Sequence, residues 1–138
     1  FFNYCTTKSD VLWVDVDRAL QSLDTLLGSA MPLRDALETV VAAHPRERIP
    51  LVATQIEAMG LGDDLAASAG VRLERLRRSI AVSGVEQKDV WLVLGALVGG
   101  LLSWALTPSP REELGELLEH QLQRIRGALG QQSVATLF

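Results

Sequence analysis

The feature that most constrains this chain is one uninterrupted apolar run, Val90–Leu106, with the sequence VWLVLGALVGGLLSWAL. Its 17 residues include no charge, amide or proline. A helix of this length covers roughly 25 Å, against the roughly 30 Å of a bilayer core. Trp91 and Trp104 would stand about 20 Å apart, as aromatic anchors at two membrane interfaces do. The run predicts a transmembrane helix over residues 88–107; the alternative is a buried core helix in a soluble all-α domain.

Three glycines inside this run form the predicted helix-packing face. Gly95 and Gly99 are four residues apart and share one side of a helix, and Gly100 widens that smooth surface. Small residues let a second helix backbone approach closely in lipid, where no hydrophobic effect drives helices together. We therefore expect a protein partner in the membrane that packs against Gly95, Gly99 and Gly100.

Residues 15–84 are predicted to form a soluble helical region, preceded by an N-terminal extension over residues 1–14. Apolar residues recur at helical spacing, and prolines, glycines and aspartates separate the repeats. The predicted helices run over Asp15–Ser29, from Pro32 to His44, over about Pro50–Met59 and from Asp63 to about Ser83. No stretch alternates at period two for long enough to form a sheet, so the expected fold class is all-α.

A second amphipathic segment follows the apolar run. Ser109–Glu112 has the S-x-x-E form of a capping box with proline at the first helical position, and a continuous leucine stripe follows. The sequence predicts an amphipathic helix over residues 109–130 and a tail without periodicity over residues 131–138. The chain opens without methionine or a signal-like segment, which fits both a trimmed protein and a mature imported organellar protein.

Charge gives an orientation and a possible lipid contact. Lys and Arg near the apolar run number five on its amino side and three on its carboxyl side, which favours an amino side facing the matrix or cytoplasm. Arg72, Arg75, Arg77 and Arg78 could contact lipid headgroups, or form a solvated helix face paired in part with Glu74. Because the net charge is −4, we expect no nucleic-acid partner.

The titratable residues form no recognisable catalytic or metal-binding pattern. Cys5 is the single cysteine, so the chain contains no thiol cluster for a metal. Glu116 and His120 lie four residues apart and are interpreted as a weak surface pair, while His44 is interpreted as a helix-capping residue. We therefore expect a non-enzymatic protein without cofactor, metal or small-molecule substrate.

One stretch resembles a known family. Asp17–Ala69 contains LDTLLGSAMPLRDALETVV followed by IEAMGLGDDLAAS. It resembles the cytoplasmic helical module of type II secretion and type IV pilus inner-membrane platform proteins, the F family, in which a leucine-rich helix, a small residue, Met/Val-Pro-Leu and Ala-Leu recur. The resemblance covers about two fifths of the chain. It implies a bacterial inner-membrane platform component.

The order of elements carries a second resemblance. A helical region, one glycine-containing span and an amphipathic helix look like accessory membrane subunits of mitochondrial respiratory complexes and of the ATP synthase, including its dimer-forming g-type subunits. This similarity implies a non-catalytic, membrane-anchored subunit of a mitochondrial inner-membrane complex, with its N-terminal region in the matrix and with other subunits and lipid as partners. The alternatives are the secretion or pilus platform component and a soluble helical adaptor.

Overall fold

The computed structural model describes residues 13–44, 50, 52, 63–107 and 112–138. In this part of the chain the regular structure is helical and contains no strand, so the all-α prediction is confirmed. The α-helices are α1 (Val14–Gly28), α2 (Leu33–Ala42), α3 (Asp63–Val82), α4 (Val90–Leu106), α5 (Leu114–Ile125) and α6 (Gln131–Leu137). Short 3₁₀ turns, Gln87–Asp89 and Arg126–Ala128, precede α4 and follow α5.

The helices before the apolar run lie close to their predicted positions. α1 and α3 begin and end within about one residue of the predicted bounds, and α2 begins directly after Pro32. Of the helix predicted at about Pro50–Met59, only Pro50 and Val52 belong to the described residues. The Ser109–Arg111 part of the predicted capping box also lies outside them, but Glu112 and Glu113 are not helical and α5 begins at Leu114, so the predicted start of this helix at residue 109 is too early.

The apolar run forms α4 and lies between two other helices. α4 packs against α3 on one side and against α5 on the other. Val93 and Leu97 are buried in a core that also contains Ile80 of α3 and Leu122 of α5. The other buried members of this core are Leu23, Leu33, Ala36, Leu37, Val85, Val90, Leu94, Leu118 and Leu137. α4 is therefore a central helix of a bundle.

The same helix has the length and composition of a membrane span. Gln87–Leu106 forms 20 residues of helix that are apolar enough to cross a bilayer, and 44% of an 18-residue stretch of this helix is buried inside the protein. A core helix of a soluble protein also meets these criteria. What the helix contacts outside the bundle depends on the part of its surface that stays exposed.

The C-terminal residues, predicted as a tail over 131–138, differ from that expectation. Gln131–Leu137 forms α6, in which Ser133 and Leu137 are fully buried. Leu137 joins the main core, and α6 also contacts α2. Seven residues carry too little periodicity to predict a helix, and this one is held by tertiary contacts rather than by local preference.

Asp89 connects α6 to the start of α4. Its carboxylate accepts hydrogen bonds from Ser133 Oγ at 2.7 Å and from the Gly130 N–H at 2.9 Å. The same Ser133 hydroxyl accepts the Glu86 N–H at 3.0 Å. The Ser133 hydroxyl and, to a smaller extent, the Gly130 N–H hold the pKa of Asp89 below its ordinary value, although burial acts in the opposite direction. The stability that Asp89 contributes is present above the ordinary pKa and lost as the pH falls through the lowered one.

Candidate interaction surface

One side of α4 is both apolar and exposed, and we call it the α4 exposed face. Its members are Trp91, Leu92, Gly95, Gly99, Leu102 and Leu106. At 100° per residue these six positions fall within an arc of about 100°. The exposed fractions are 67% for Trp91 and about 40% for each leucine. A continuous strip of apolar surface therefore runs along the whole helix.

The structure divides the three predicted packing glycines into two groups. A Cβ atom built on Gly95 or Gly99 would meet nothing within 4 Å, so these residues form an open, smooth surface. Gly100 is buried, and a Cβ there would lie 2.6 Å from Cγ of Gln121 on α5. The Gln121 side chain crosses Gly100 to donate a hydrogen bond from Nε2 to the Ala96 carbonyl at 2.9 Å. Gly100 thus allows close packing inside this chain, whereas Gly95 and Gly99 face outward.

The two tryptophans of α4 have different surroundings. Trp104 is 5% exposed and packs with Ala105 and Leu117, and its Nε1 donates to the Glu112 carbonyl at 2.7 Å. Trp91 is exposed, and the guanidinium carbon of Arg77 lies 6.0 Å from its ring centroid. Trp91 therefore belongs to the α4 exposed face, whereas Trp104 fixes the start of α5 against α4. That either ring sits at a membrane interface stays a prediction.

Two of the four clustered arginines connect α3 to α1. Arg72 makes a bidentate contact with the Asp17 carboxylate at 2.9 and 3.0 Å, and it also lies over the Trp13 ring. Arg75 contacts the Asp24 carboxylate at 3.1 Å. These bonds align the two helices, and they engage both guanidinium groups within the protein.

The other two arginines lie farther along α3. Arg77 donates two hydrogen bonds to Glu74, at 2.6 and 2.8 Å, and this pairing lowers the pKa of Glu74 and raises that of Arg77. Arg78 is 3.8 Å from the same carboxylate, and its side chain is 69% exposed. The predicted contact of the four arginines with lipid headgroups stays a prediction.

Charged side chains lie around both ends of α4. At its amino-terminal end are Arg77 beside Trp91, the exposed Arg78, and Lys88 in the turn before α4. Arg124 lies on the same half, since it contacts Gln121, which binds Ala96. After α4, Glu112, Glu113 and Glu116 are exposed acids, and the Glu112 carbonyl accepts the hydrogen bond of Trp104, which lies on the side of α4 turned away from the exposed face. Glu74 offsets part of the positive charge, and the Glu112 carboxylate also contacts His120.

The side chains that could take part in acid–base or metal chemistry contact one another in pairs. His120 Nδ1 lies 3.0 Å from Glu112, whereas the sequence favoured a pair with Glu116. The His44 ring meets the Trp104 ring edge-on, with centroids 6.3 Å apart. Among the described residues, no group of three or more His, Cys, Asp or Glu side chains could hold a metal ion.

A cavity of about 400 Å³ lies where the α1–α2 turn meets the end of α3. Leu27, Met31 and Val82 supply much of its lining, and Asp24 is its acidic residue. The Asp24 carboxylate already accepts hydrogen bonds from Arg75 and Ser79. The lining is thus mainly apolar, and its carboxylate is engaged by the chain's own groups.

No protein family, curated protein or solved structure matches this chain.

Proposed function

We propose that this chain is a non-catalytic helical subunit that binds partner proteins of a membrane-associated assembly through the α4 exposed face. The observation that carries the proposal is an apolar strip about 25 Å long, from Trp91 to Leu106, on a helix whose other side is the core of the bundle. Contiguous exposed apolar surface of this kind marks interaction sites in soluble domains. Gly95 and Gly99 leave its centre open to a closely packed helix.

The surroundings of α4 favour a bundle that lies outside the hydrocarbon core. α5 packs along α4, and its own outer side exposes Glu116, His120 and Arg124. If α4 spanned a bilayer in this arrangement, these polar groups would enter the lipid at considerable cost. A helical module beside the membrane avoids that cost, which supports the platform type of assembly that Asp17–Ala69 resembles.

A second candidate is the accessory single-span subunit of a mitochondrial energy-converting complex. The observation in its favour is the length and composition of Gln87–Leu106. This candidate requires α3 and α5 to separate from α4 on insertion, with loss of the Gln121–Ala96 hydrogen bond and of the shared core. The two candidates therefore differ in how the protein is attached to the membrane.

The test is purification of the native protein in gentle detergent, with mass spectrometry of the proteins that accompany it at constant ratio. The platform proposal predicts that a secretion ATPase and pilins co-purify with the protein, and that alkaline carbonate releases the protein from membranes. ATP synthase or respiratory subunits, with resistance to carbonate, would support the second candidate instead.

A double variant tests whether the co-purifying proteins bind to the α4 exposed face. Gly95→Leu with Gly99→Leu should reduce the amount of partner protein that co-purifies, because two leucines fill the open centre of the face. The matched control is Gly70→Leu, since Gly70 lies on α3, is exposed and also has nothing within 4 Å of a built Cβ. If the double variant co-purifies with the same amount of partner protein as wild type, the proposed role of this face is contradicted.

A further inference from the structure

The cavity between the α1–α2 turn and the end of α3 lies where two helices end. Leu27 and Gly28 belong to the last turn of α1, and Val82 is the last residue of α3. All three residues line the cavity, whose volume of about 400 Å³ is in the range of small-molecule sites. The carboxyl-terminal ends of α1 and α3 therefore border one shared space.

The two helix ends make this space electronegative. The carboxyl-terminal end of a helix carries about half a negative charge, which favours a cation close to the last turn. The last turns of α1 and α3, both within the described part of the chain, contain no basic residue. Two partial negative charges thus border the cavity, and neither turn supplies a side chain that would neutralise them.

The other charges around the cavity largely cancel one another. Asp24 lines the cavity, and its carboxylate is paired with Arg75 at 3.1 Å. α2 begins at the cavity, and Asp35 in its first turn offsets the positive end of that helix. Arg78, farther from the end of α3, lies 3.8 Å from the Glu74 carboxylate. The two helix ends are therefore the charges that remain for a ligand.

An ammonium group has a hydrogen-bond acceptor in this cavity. Oδ2 of Asp24 contacts Arg75, and Oδ1 accepts the Ser79 hydroxyl at 2.5 Å. A carboxylate oxygen accepts about two hydrogen bonds, so Oδ1 has room for one further donor. The Asp24 side chain is 37% exposed, which leaves it accessible. Beside it, Met31 and Val82 offer apolar surface for a hydrocarbon body.

We propose that this cavity binds a protonated primary amine that carries a short apolar body. The ammonium group lies between the two helix ends and donates to Asp24, and the hydrocarbon part packs on Leu27, Met31 and Val82. An anion of the same shape is repelled by the helix ends, and a neutral alcohol gains only the apolar contact. The cavity is separate from the α4 exposed face, so this inference goes beyond the proposed function and does not depend on it.

The first test is a titration of the isotope-labelled full chain with n-hexylammonium, followed by amide NMR spectra. n-Hexanol and n-hexanoate are the matched neutral and anionic probes. We expect the amide signals of Gly28, Ala30 and Ser83 to shift with n-hexylammonium. n-Hexanol should bind at least about fivefold more weakly, because it lacks the interaction with two helix ends, and n-hexanoate should not bind measurably. No amide shift, equal binding of the ammonium and the alcohol, or shifts confined to α4 would each overturn the proposal.

A pair of variants at Val82 tests the role of the helix ends. Val82 is 80% exposed, so a longer side chain there leaves the core intact. Val82→Lys places a cation in the last turn of α3 and should weaken the binding of n-hexylammonium several-fold. Val82→Gln is the matched control, because it changes the apolar lining in a similar way without adding charge. If Val82→Lys binds n-hexylammonium as tightly as Val82→Gln does, the helix ends do not determine binding and the proposal is refuted.

Discussion

Alanine substitutions at the three glycines of α4 should change stability in opposite directions. Gly95, Gly99 and Gly100 lie in the same helix, so all three substitutions gain the same local helix preference. A Cβ at Gly95 or Gly99 enters open space, whereas one at Gly100 would lie 2.6 Å from Cγ and 2.7 Å from Nε2 of Gln121. The comparison therefore isolates the packing of α5 on α4.

The expected magnitudes follow from this geometry. Alanine is favoured over glycine in a helix interior by about 1 kcal/mol, which should appear as stabilisation at Gly95 and Gly99. At Gly100 the same gain is offset by about 1–3 kcal/mol of overpacking and by about 1 kcal/mol for the displaced Gln121 hydrogen bond. The net effect there is a loss of about 2 kcal/mol. The free energies of unfolding of Gly99→Ala and Gly100→Ala should thus differ by about 3 kcal/mol.

Urea unfolding measures this difference. A thermal scan should place the two melting temperatures roughly 9 °C apart, at about 3 °C per kcal/mol for a chain of this size. Adding Gln121→Ala to Gly100→Ala should recover most of the loss, because the clashing atoms are then gone. If Gly100→Ala is as stable as Gly99→Ala, the close packing of α5 against Gly100 is refuted.

Three further changes test other contacts. Trp104→Phe should cost about 1 kcal/mol of unfolding free energy because it removes a buried indole hydrogen bond, whereas Trp91→Phe should cost little. Asp89→Asn should reduce the loss of stability on acidification below pH 3.8, since the lowered carboxyl pKa is removed; denaturant titrations at neutral and acidic pH would show an unchanged slope if this is wrong. Arg72→Leu should cost about 1–2 kcal/mol through its bidentate contact, and Arg78→Leu close to zero; equal effects would contradict the difference between them.

The helices that sequence periodicity could predict are those with a clear apolar side. α1, α3 and α5 each combine a leucine or mixed apolar stripe with charged residues, so spacing alone indicates where they lie and which side is buried. Two helix starts were predictable too, because Pro32 directly precedes α2 and Asp63 begins α3. The sequence alone therefore predicts a helical bundle.

The side of α4 that faces the core could not be predicted in this way. Its residues are apolar on every side, so periodicity carries no information about which side faces the core. Gly95 and Gly100 look equivalent in the sequence, yet one is exposed and the other lies under Gln121. α6 was missed for a related reason, because Ser133 and Asp89 hold it through a contact between residues 44 positions apart.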